Sequence, residues 1–347
     1  MLAGAFHSLI PLIIAHRGAS GDRPEHTLAS YGLAIEQGAD FIEPDLVLTL
    51  DGILVARHEN EIGGTTNVST KPEFAARKCV KLIDGAETAG WFTEDFTLAE
   101  LRTLKARERI PELRPANRAF NDQFEIPTFD EILELVRHAN ATRARPVGVY
   151  PETKHPTYFA GIGLDHATPL LEALRRFGYS GSNARVFIQS FEVSNLRRIR
   201  AKSDLPLVQL MELTGAPYDY RASTDPRSYA DLASAAGLRE VAQYANAIGP
   251  NKLAVIGRGA DETLKGYSRL VEDAHEAGLA VHPWTFRAEN AFLPADCRSS
   301  GVGSERGDLA SELRCYAHVG VDAVFTDQPE LAVQAFRSGS ATPSARL

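Results

Sequence analysis

Positive charge is in short supply: 37 Lys and Arg stand against 45 Asp and Glu, a formal net charge of −8. Nucleic-acid backbones are drawn to basic surface, so this balance excludes DNA or RNA as the natural partner. A phosphate-bearing ligand would have to be met by local cations or a metal ion. Cysteine is scarce as well, with Cys79, Cys297 and Cys315 scattered along the chain. Three such residues build neither a thiolate cluster nor a disulfide framework, and free, partly buried thiols are expected. Cys297 and Cys315 do flank a Gly/Ser-rich loop, Arg298 to Gly307, which they could staple in an oxidising compartment. No apolar run approaches the roughly 20 residues that cross a bilayer. The stretch from Met1 to Ile14 is apolar but lacks a basic n-region and a clear cleavage site, and it runs straight into His16. A cytoplasmic protein, or a trimmed mature form of an exported one, fits that start. There is no GxGxxG or GxxxxGK[ST] pattern to suggest a nucleotide fold, no internal repeat and no low-complexity tract.

What the chain does have is an alternation of short apolar runs with helical patterns. Leu12–Ala15 reads as a buried strand, and Thr27–Gln37 as a helix stopped by Gly38. Phe41–Leu48 and Ile53–Arg57 are joined through Asp51-Gly52, a hairpin signal. From Asn60 to about Phe124 the rhythm breaks, with a Gly-Gly pair, several Pro and Asn, and a basic patch of Arg102, Lys105, Arg107 and Arg109. This stretch is expected to be an inserted subdomain over a barrel mouth, with a short helix near Leu98–Lys105. Its basic patch is expected to be a solvated face, with substrate attraction as the alternative. Alternation then resumes: helix Phe129–Ala139, strand Val147–Tyr150, helix His166–Phe177, strand Val186–Gln189, helix Val193–Ala201 and strand Pro206–Leu210. Further on, a strand is expected at Leu253–Ile256, a helix over Thr263–Glu276 and a strand at Leu279–His282. Helix Leu309–His318, strand Ala323–Phe325 and a closing helix Pro329–Phe336 complete the count. About eight β/α steps favour an α/β fold of the (β/α)8 TIM-barrel type in one domain spanning 1–347, with the insertion at 60–124 after the second strand.

Three strand ends carry the chemistry: Ala15-His16-Arg17-Gly18, Glu43-Pro44-Asp45 and Arg57-His58-Glu59. Glu43 and Asp45 are two apart, which sends both to the same face of a strand. Two adjacent carboxylates repel, so they want a shared proton or a cation. Pro44 forfeits a ladder hydrogen bond, and local rules fail most often at functional sites. Glu152 and Lys154 repeat the spacing after strand Val147–Tyr150. Three carboxylates without cysteine make an all-oxygen site suited to one divalent cation, Ca²⁺ or Mg²⁺. Imidazoles titrate near neutral pH, so His16 and His58 suit deprotonation of a nucleophile and protonation of a leaving alkoxide. Arg17 offers a planar fork for phosphate oxygens, and Lys154 a second cation. No catalytic role is assigned to His26, His138, His155 or His318.

Together these segments resemble the glycerophosphodiester phosphodiesterase family. The resemblance rests on His16-Arg17-Gly18-Ala19-Ser20, Pro24-Glu25-His26-Thr27, Glu43-Pro44-Asp45 and Arg57-His58-Glu59. It continues in Tyr150-Pro151-Glu152-Thr153-Lys154, Gln189-Ser190-Phe191, Val281-His282-Pro283-Trp284-Thr285 and Phe325-Thr326-Asp327. The long insertion, with Val241 to Ala245 and Ile248-Gly249-Pro250, makes the chain most similar to the bacterial periplasmic branch. What the resemblance implies is a TIM barrel that uses a divalent cation to hydrolyse small glycerophosphodiesters to glycerol 3-phosphate and an alcohol. By matching position, Glu43, Asp45 and Glu152 would be metal ligands and His16 and His58 the acid–base pair. Arg17 and Lys154 would contact phosphate, Gln189 and Trp284 would face the substrate, and Glu25 would lie just behind the metal. The branch implies a periplasmic location, with an export signal outside the sequence given. Two other classes stand as alternatives. One is a lipid phosphodiesterase of the lysophospholipase D or sphingomyelinase D kind, in which Trp91, Phe92 and Phe96 either meet a lipid tail or form the insertion's own small core. The other is a barrel that binds a phosphodiester without cleaving it.

Overall fold

The computed structural model describes residues 10–337, so the first nine residues of the apolar N-terminal stretch lie outside it. Eight parallel strands follow in chain order. They are β1 (Leu12–His16), β2 (Phe41–Glu43 and, past Pro44, Asp45–Leu48), β3 (Gly148–Val149 and, past Tyr150-Pro151, Glu152–Thr153) and β4 (Ile188–Ser190). The other four are β5 (Leu207–Met211), β6 (Ala247–Pro250), β7 (Ala280–Val281) and β8 (Ala323–Thr326). From β1 to β7 each pairs with the next, and β8 pairs with β1 in the register Leu12↔Ala323 to Ala15↔Thr326. The Asp322 N–H to Val281 carbonyl bond and the Phe286↔Thr326 bridge close β7 onto β8. This is a (β/α)8 barrel, as the alternation predicts.

Strand periodicity decides where the polar groups go. Ile14, Phe41, Tyr150, Phe187, Val208, Ala247, Ala323 and Phe325 form one buried cluster, while Ile13, Ala15, Ile42, Val149 and Ile188 belong to the larger one that takes in the helices. The first set points into the barrel, and stepping two residues on along each strand leads from apolar filler to polar mouth. Ile14 leads to His16, Phe41 to Glu43 and Asp45, Tyr150 to Glu152 and Lys154. Phe187 leads to Gln189, and Phe325 to Asp327. The floor beneath them is sealed by Tyr150, whose ring meets those of Phe41, Phe187 and Phe325, and whose hydroxyl bonds His282 Nδ1 at 2.7 Å.

The hairpin at Asp51-Gly52 forms as expected, Leu46–Leu48 pairing antiparallel with Leu54–Ala56, and Gly52 adopts φ +75° in its turn. Two expected elements are corrected. The sixth barrel strand is Ala247–Pro250, not Leu253–Ile256; the latter run begins in a 3-10 turn, Lys252–Ala254. Ile256–Arg258 then pairs outside the barrel with Leu264–Tyr267, so the helix expected over Thr263–Glu276 starts only at Leu270.

The segment between the hairpin and helix Phe129–Asn140 holds 3-10 turns, a strand pair Cys79–Ile83/Ala86–Gly90 and a short helix, Leu98–Leu101, capped reciprocally by Thr97 and Glu100. Phe92 and Phe96 are fully buried with Phe74, Leu101 and Leu104, and Trp91 donates its indole N–H to the Phe74 carbonyl. These aromatics are the segment's core, which removes the lipid-tail role considered for them. Arg102, Lys105 and Arg107 are paired at the surface with Glu125, Glu131 and Asp122. Only Arg109 of the basic patch turns toward the barrel. The three cysteines are free thiols.

Candidate active site

A cavity of about 240 Å³ opens at the C-terminal ends of the strands. It brings together nine of the ten residues singled out from the sequence: His16, Arg17, Glu43, Asp45, His58, Glu152, Lys154, Gln189 and Trp284. The chain turns sharply after β1, with Arg17 at φ +60° and Gly18 at φ +88°. A Cβ at Gly18 would lie 2.4 Å from the Ser30 hydroxyl, so glycine alone fits there. The turn aims the Arg17 N–H at Glu43 Oε2 (2.9 Å) and its guanidinium at Glu25 and Asp45.

Glu43, Asp45 and Glu152 are buried, and one oxygen from each lies within 4.8 Å of the others. Pro44 breaks β2 between its two acids, yet its carbonyl still accepts from the Glu152 N–H at 2.9 Å. That bond carries the break across to β3 and sets Asp45 opposite Glu152. Burial pushes Glu43 well above the ordinary carboxylate range, reinforced by Asp45 and Glu152. Burial likewise raises Glu152 to about 8, although Lys154 sits 2.8 Å away and opposes it. Burial would raise Asp45 too, but Lys154 and His26 hold it well below its usual value. Three buried acids that cannot all ionise alone are a donor set for a hard divalent cation. Gln189 supports the fit: its amide N–H donates to Glu43 Oε1 at 2.8 Å while its own buried oxygen has no hydrogen-bond partner. Arg17 Nε is likewise buried without a hydrogen bond, lying 3.4 Å from Asp45 Oδ2, which leaves it able to donate to a phosphoryl oxygen.

Each histidine is backed by a carboxylate. His16 Nδ1 lies 2.6 Å from Asp327 Oδ1, and His58 Nδ1 lies 2.5 Å from Glu59 Oε2. Burial and Arg17 lower His16 to about 4 despite Asp327. Burial, Arg17 and Lys154 lower His58 to about 3, and Glu59 is lowered to about 2 by His58 and Arg109 against the opposing effect of burial. Both imidazoles are therefore neutral near pH 7. An ionised carboxylate only accepts, so each Nδ1 carries the proton and each Nε2 is left as a base.

Glu25 lies behind the three acids and makes no hydrogen bond to them. Its carboxylate is clamped by Arg109 (2.6 and 2.9 Å) and Arg17 (3.0 Å), and it reaches the acids only through Arg17. Several residues without an expected role also take part. His26, fully buried, bonds Asp45 Oδ2 through Nε2 at 2.9 Å and Tyr31 through Nδ1. Asp327 receives Arg114 Nη2 at 2.5 Å and Arg287 Nε at 2.9 Å, and Arg114 also bonds Glu289 and the Ser20 carbonyl. Arg109 completes a path Arg17–Glu25–Arg109–Glu59–His58. For Asp327 a sequence signal existed: it follows Phe325 by two at the end of the last strand. The arginines had none.

The fold and this centre define a (β/α)8 barrel whose mouth joins a carboxylate triad to two backed imidazoles and two cations, Arg17 and Lys154. Comparison with known proteins gives the family. The model of the glycerophosphoryl diester phosphodiesterase family matches residues 16–331, and the chain belongs to that family. It is 35% identical over 332 residues to a glycerophosphodiester phosphodiesterase of Arabidopsis thaliana, covering 91% of this chain and 83% of the relative. It is 32% identical to one of Haemophilus influenzae, covering 80% and 79%. Among solved structures, an Oleispira antarctica phosphodiesterase in complex with the product sn-glycerol-3-phosphate superposes with a TM-score of 0.60 at 20% identity, covering 96% of this chain and 99% of that one. A putative glycerophosphoryl diester phosphodiesterase of Silicibacter pomeroyi gives 0.67 at 22% identity, covering 95% and 94%.

Proposed function

We propose that this chain hydrolyses glycerophosphodiesters to sn-glycerol 3-phosphate and an alcohol, with a divalent cation, Ca²⁺ or Mg²⁺, held by Glu43, Asp45 and Glu152. The observation that carries this reading is the convergence of three carboxylates, two cations and two carboxylate-backed imidazoles on one cavity. The bound cation supplies positive charge to the phosphoryl oxygens. Arg17 and Lys154 flank the same oxygens and stabilise the charge that grows on them. Asp327 and Glu59 fix the ring orientation and tautomer of His16 and His58, so that both Nε2 atoms are presented to the substrate. One imidazole takes the proton of the attacking oxygen, and the other delivers a proton to the leaving alkoxide. The ring that takes the attacking oxygen's proton is neutral, and the ring that acts as acid enters protonated at Nε2, a form that the anionic phosphodiester beside it favours against the lowering due to burial. The attacker is water or the substrate's own 2-hydroxyl, and the second choice explains a requirement for glycerol next to the phosphate. Gln189 and Trp284 line the wall where that glycerol sits, Trp284 being fixed by its indole N–H on the Gly249 carbonyl at 2.8 Å.

The test is release of glycerol 3-phosphate from glycerophosphocholine, run beside lysophosphatidylcholine. Turnover of the first, its loss on chelation and its return with Ca²⁺ or Mg²⁺ are expected. Turnover of the lysolipid alone would overturn the reading in favour of a lipid phosphodiesterase.

A further inference from the structure

A second cavity, of about 200 Å³, adjoins the first and shares Glu152, Lys154, Phe191 and Glu212 with it. It lies beyond the ends of β3, β4 and β5, where the tip of the Cys79–Ile83/Ala86–Gly90 hairpin reaches over from the inserted segment. The Phe191 ring stands between the two spaces, edge-on to Trp284 at 5.8 Å in the first and to Tyr229 at 6.3 Å in the second. Lys154, which flanks the phosphoryl group in the proposed reaction, has its ammonium 5.7 Å from the same ring. A phosphodiester held at Arg17 and Lys154 has two arms. If glycerol lies toward Gln189 and Trp284, the other arm passes Phe191 into the second cavity.

The lining of that space is acidic and aromatic. Besides the shared Glu152 and Glu212 it presents the carboxyl groups of Asp84 and Glu192, with Tyr218 and Tyr229 beside Phe191. Asp84 Oδ2 bonds His155 Nδ1 at 2.6 Å, but its Oδ1 is buried with no hydrogen-bond partner. Glu192 is 3% exposed and is met by the N–H and hydroxyl of Thr157, with no cation among its hydrogen-bond partners. The lining has cations of its own. Arg221 donates to the Asp84 carbonyl and lies over the Tyr218 ring at 5.2 Å, and Lys154 is paired with Glu152. Burial raises Glu192 to about 8, so the negative charge facing this space comes from Asp84 and Glu212.

We propose that this second cavity holds the alcohol arm of the substrate and selects alcohols that carry an amine or quaternary ammonium cation. Ring faces and carboxylates around one small space are the chemistry that recognises such a group. The proposal rests on the hydrolytic reading above, and it makes Asp84, Glu212 and Tyr229 specificity-determining, apart from the groups that act on the phosphate.

The experiment compares kcat/KM for glycerophosphocholine and glycerophosphoethanolamine with that for glycerophosphoglycerol and glycerophosphoinositol. The wild-type protein is set against Asp84→Asn and Glu212→Gln. Asp84→Asn keeps the shape that meets His155, and Glu212 is exposed, so folding is not at stake in the second variant. The wild type is expected to favour the two cationic substrates. Each variant should lower kcat/KM for them by about three- to tenfold, the size of one electrostatic contact in such a setting, while the uncharged-alcohol substrates stay within about twofold. Equal wild-type rates on all four substrates, or variants that shift all four alike, would overturn the subsite and leave the hydrolysis standing. No turnover of any of them would overturn both.

Discussion

The two histidine arms use the same parts at different depths. His16 is 9% exposed, and its partner Asp327 is held by two arginines, Arg114 and Arg287. His58 leaves about a third of its side chain in solvent (34%), and its partner Glu59 shares a single arginine, Arg109, with Glu25. The first arm is fixed within the barrel wall; the second stands at the rim, where substrate enters and product leaves. Orientation therefore comes from protein on one side and partly from water on the other.

The difference can be broken or sharpened by measurement. The largest effect is expected from the imidazoles themselves: His16→Ala and His58→Ala should each lower kcat by at least about a hundredfold, the contribution of a general acid or base. Near-normal turnover in either would remove that residue from the reaction. Next come the carboxylates behind them. Asp327→Asn should cost about 10- to 100-fold in kcat with little change in KM, as for a buried orienting partner. Glu59→Gln should cost less than about tenfold, because water at the rim can replace it. Equal losses would show that depth does not matter.

The smallest effect concerns stability against pH. His16 and His282 are lowered by burial to about 4, and His166 to about 3. The unfolded chain takes up protons near pH 6.5 that these folded groups refuse. Their contribution is thus fully present above pH 6.5 and is lost as pH falls toward 4, by about 1–2 kcal/mol per buried ring between pH 7 and 5. Urea unfolding at the two pH values should show this fall, and His166→Gln or His282→Gln, which lie outside the reacting groups, should each flatten it.

Most of the barrel and much of the site were legible because their signals are local. Glu43-Asp45 and Glu152-Lys154 are two apart, so strand periodicity sends each pair to one face, while Arg17 and Glu59 directly follow their histidines and are brought in by the chain turning after the strand. The sixth strand was misplaced because Ala247-Ile248-Gly249-Pro250 reads as a turn, while the apolar Leu253–Ile256 run looks like a strand. Only the neighbouring ladders show that Pro250 is tolerated, since it closes the strand at the mouth. The supports were hidden for a different reason. Arg114 meets Asp327 across 213 positions and Arg109 meets Glu25 across 84, contacts that no local pattern announces. His26 gives no local signal because it lies in the loop before the first helix and its partner, Asp45, is 19 positions on, in β2.

Arg109 and Arg114 belong to the inserted segment, yet one stands behind each histidine arm. Unfolding that segment alone would strand Glu25, Asp327 and Glu289 as buried acids that have lost an arginine, a cost of several kcal/mol on top of its own core. Hydrogen exchange is thus expected to show the segment and the barrel mouth opening as one cooperative unit. Fluctuations that loosen the insertion disarm the chemistry at the same moment, so a partly opened molecule is an inactive one.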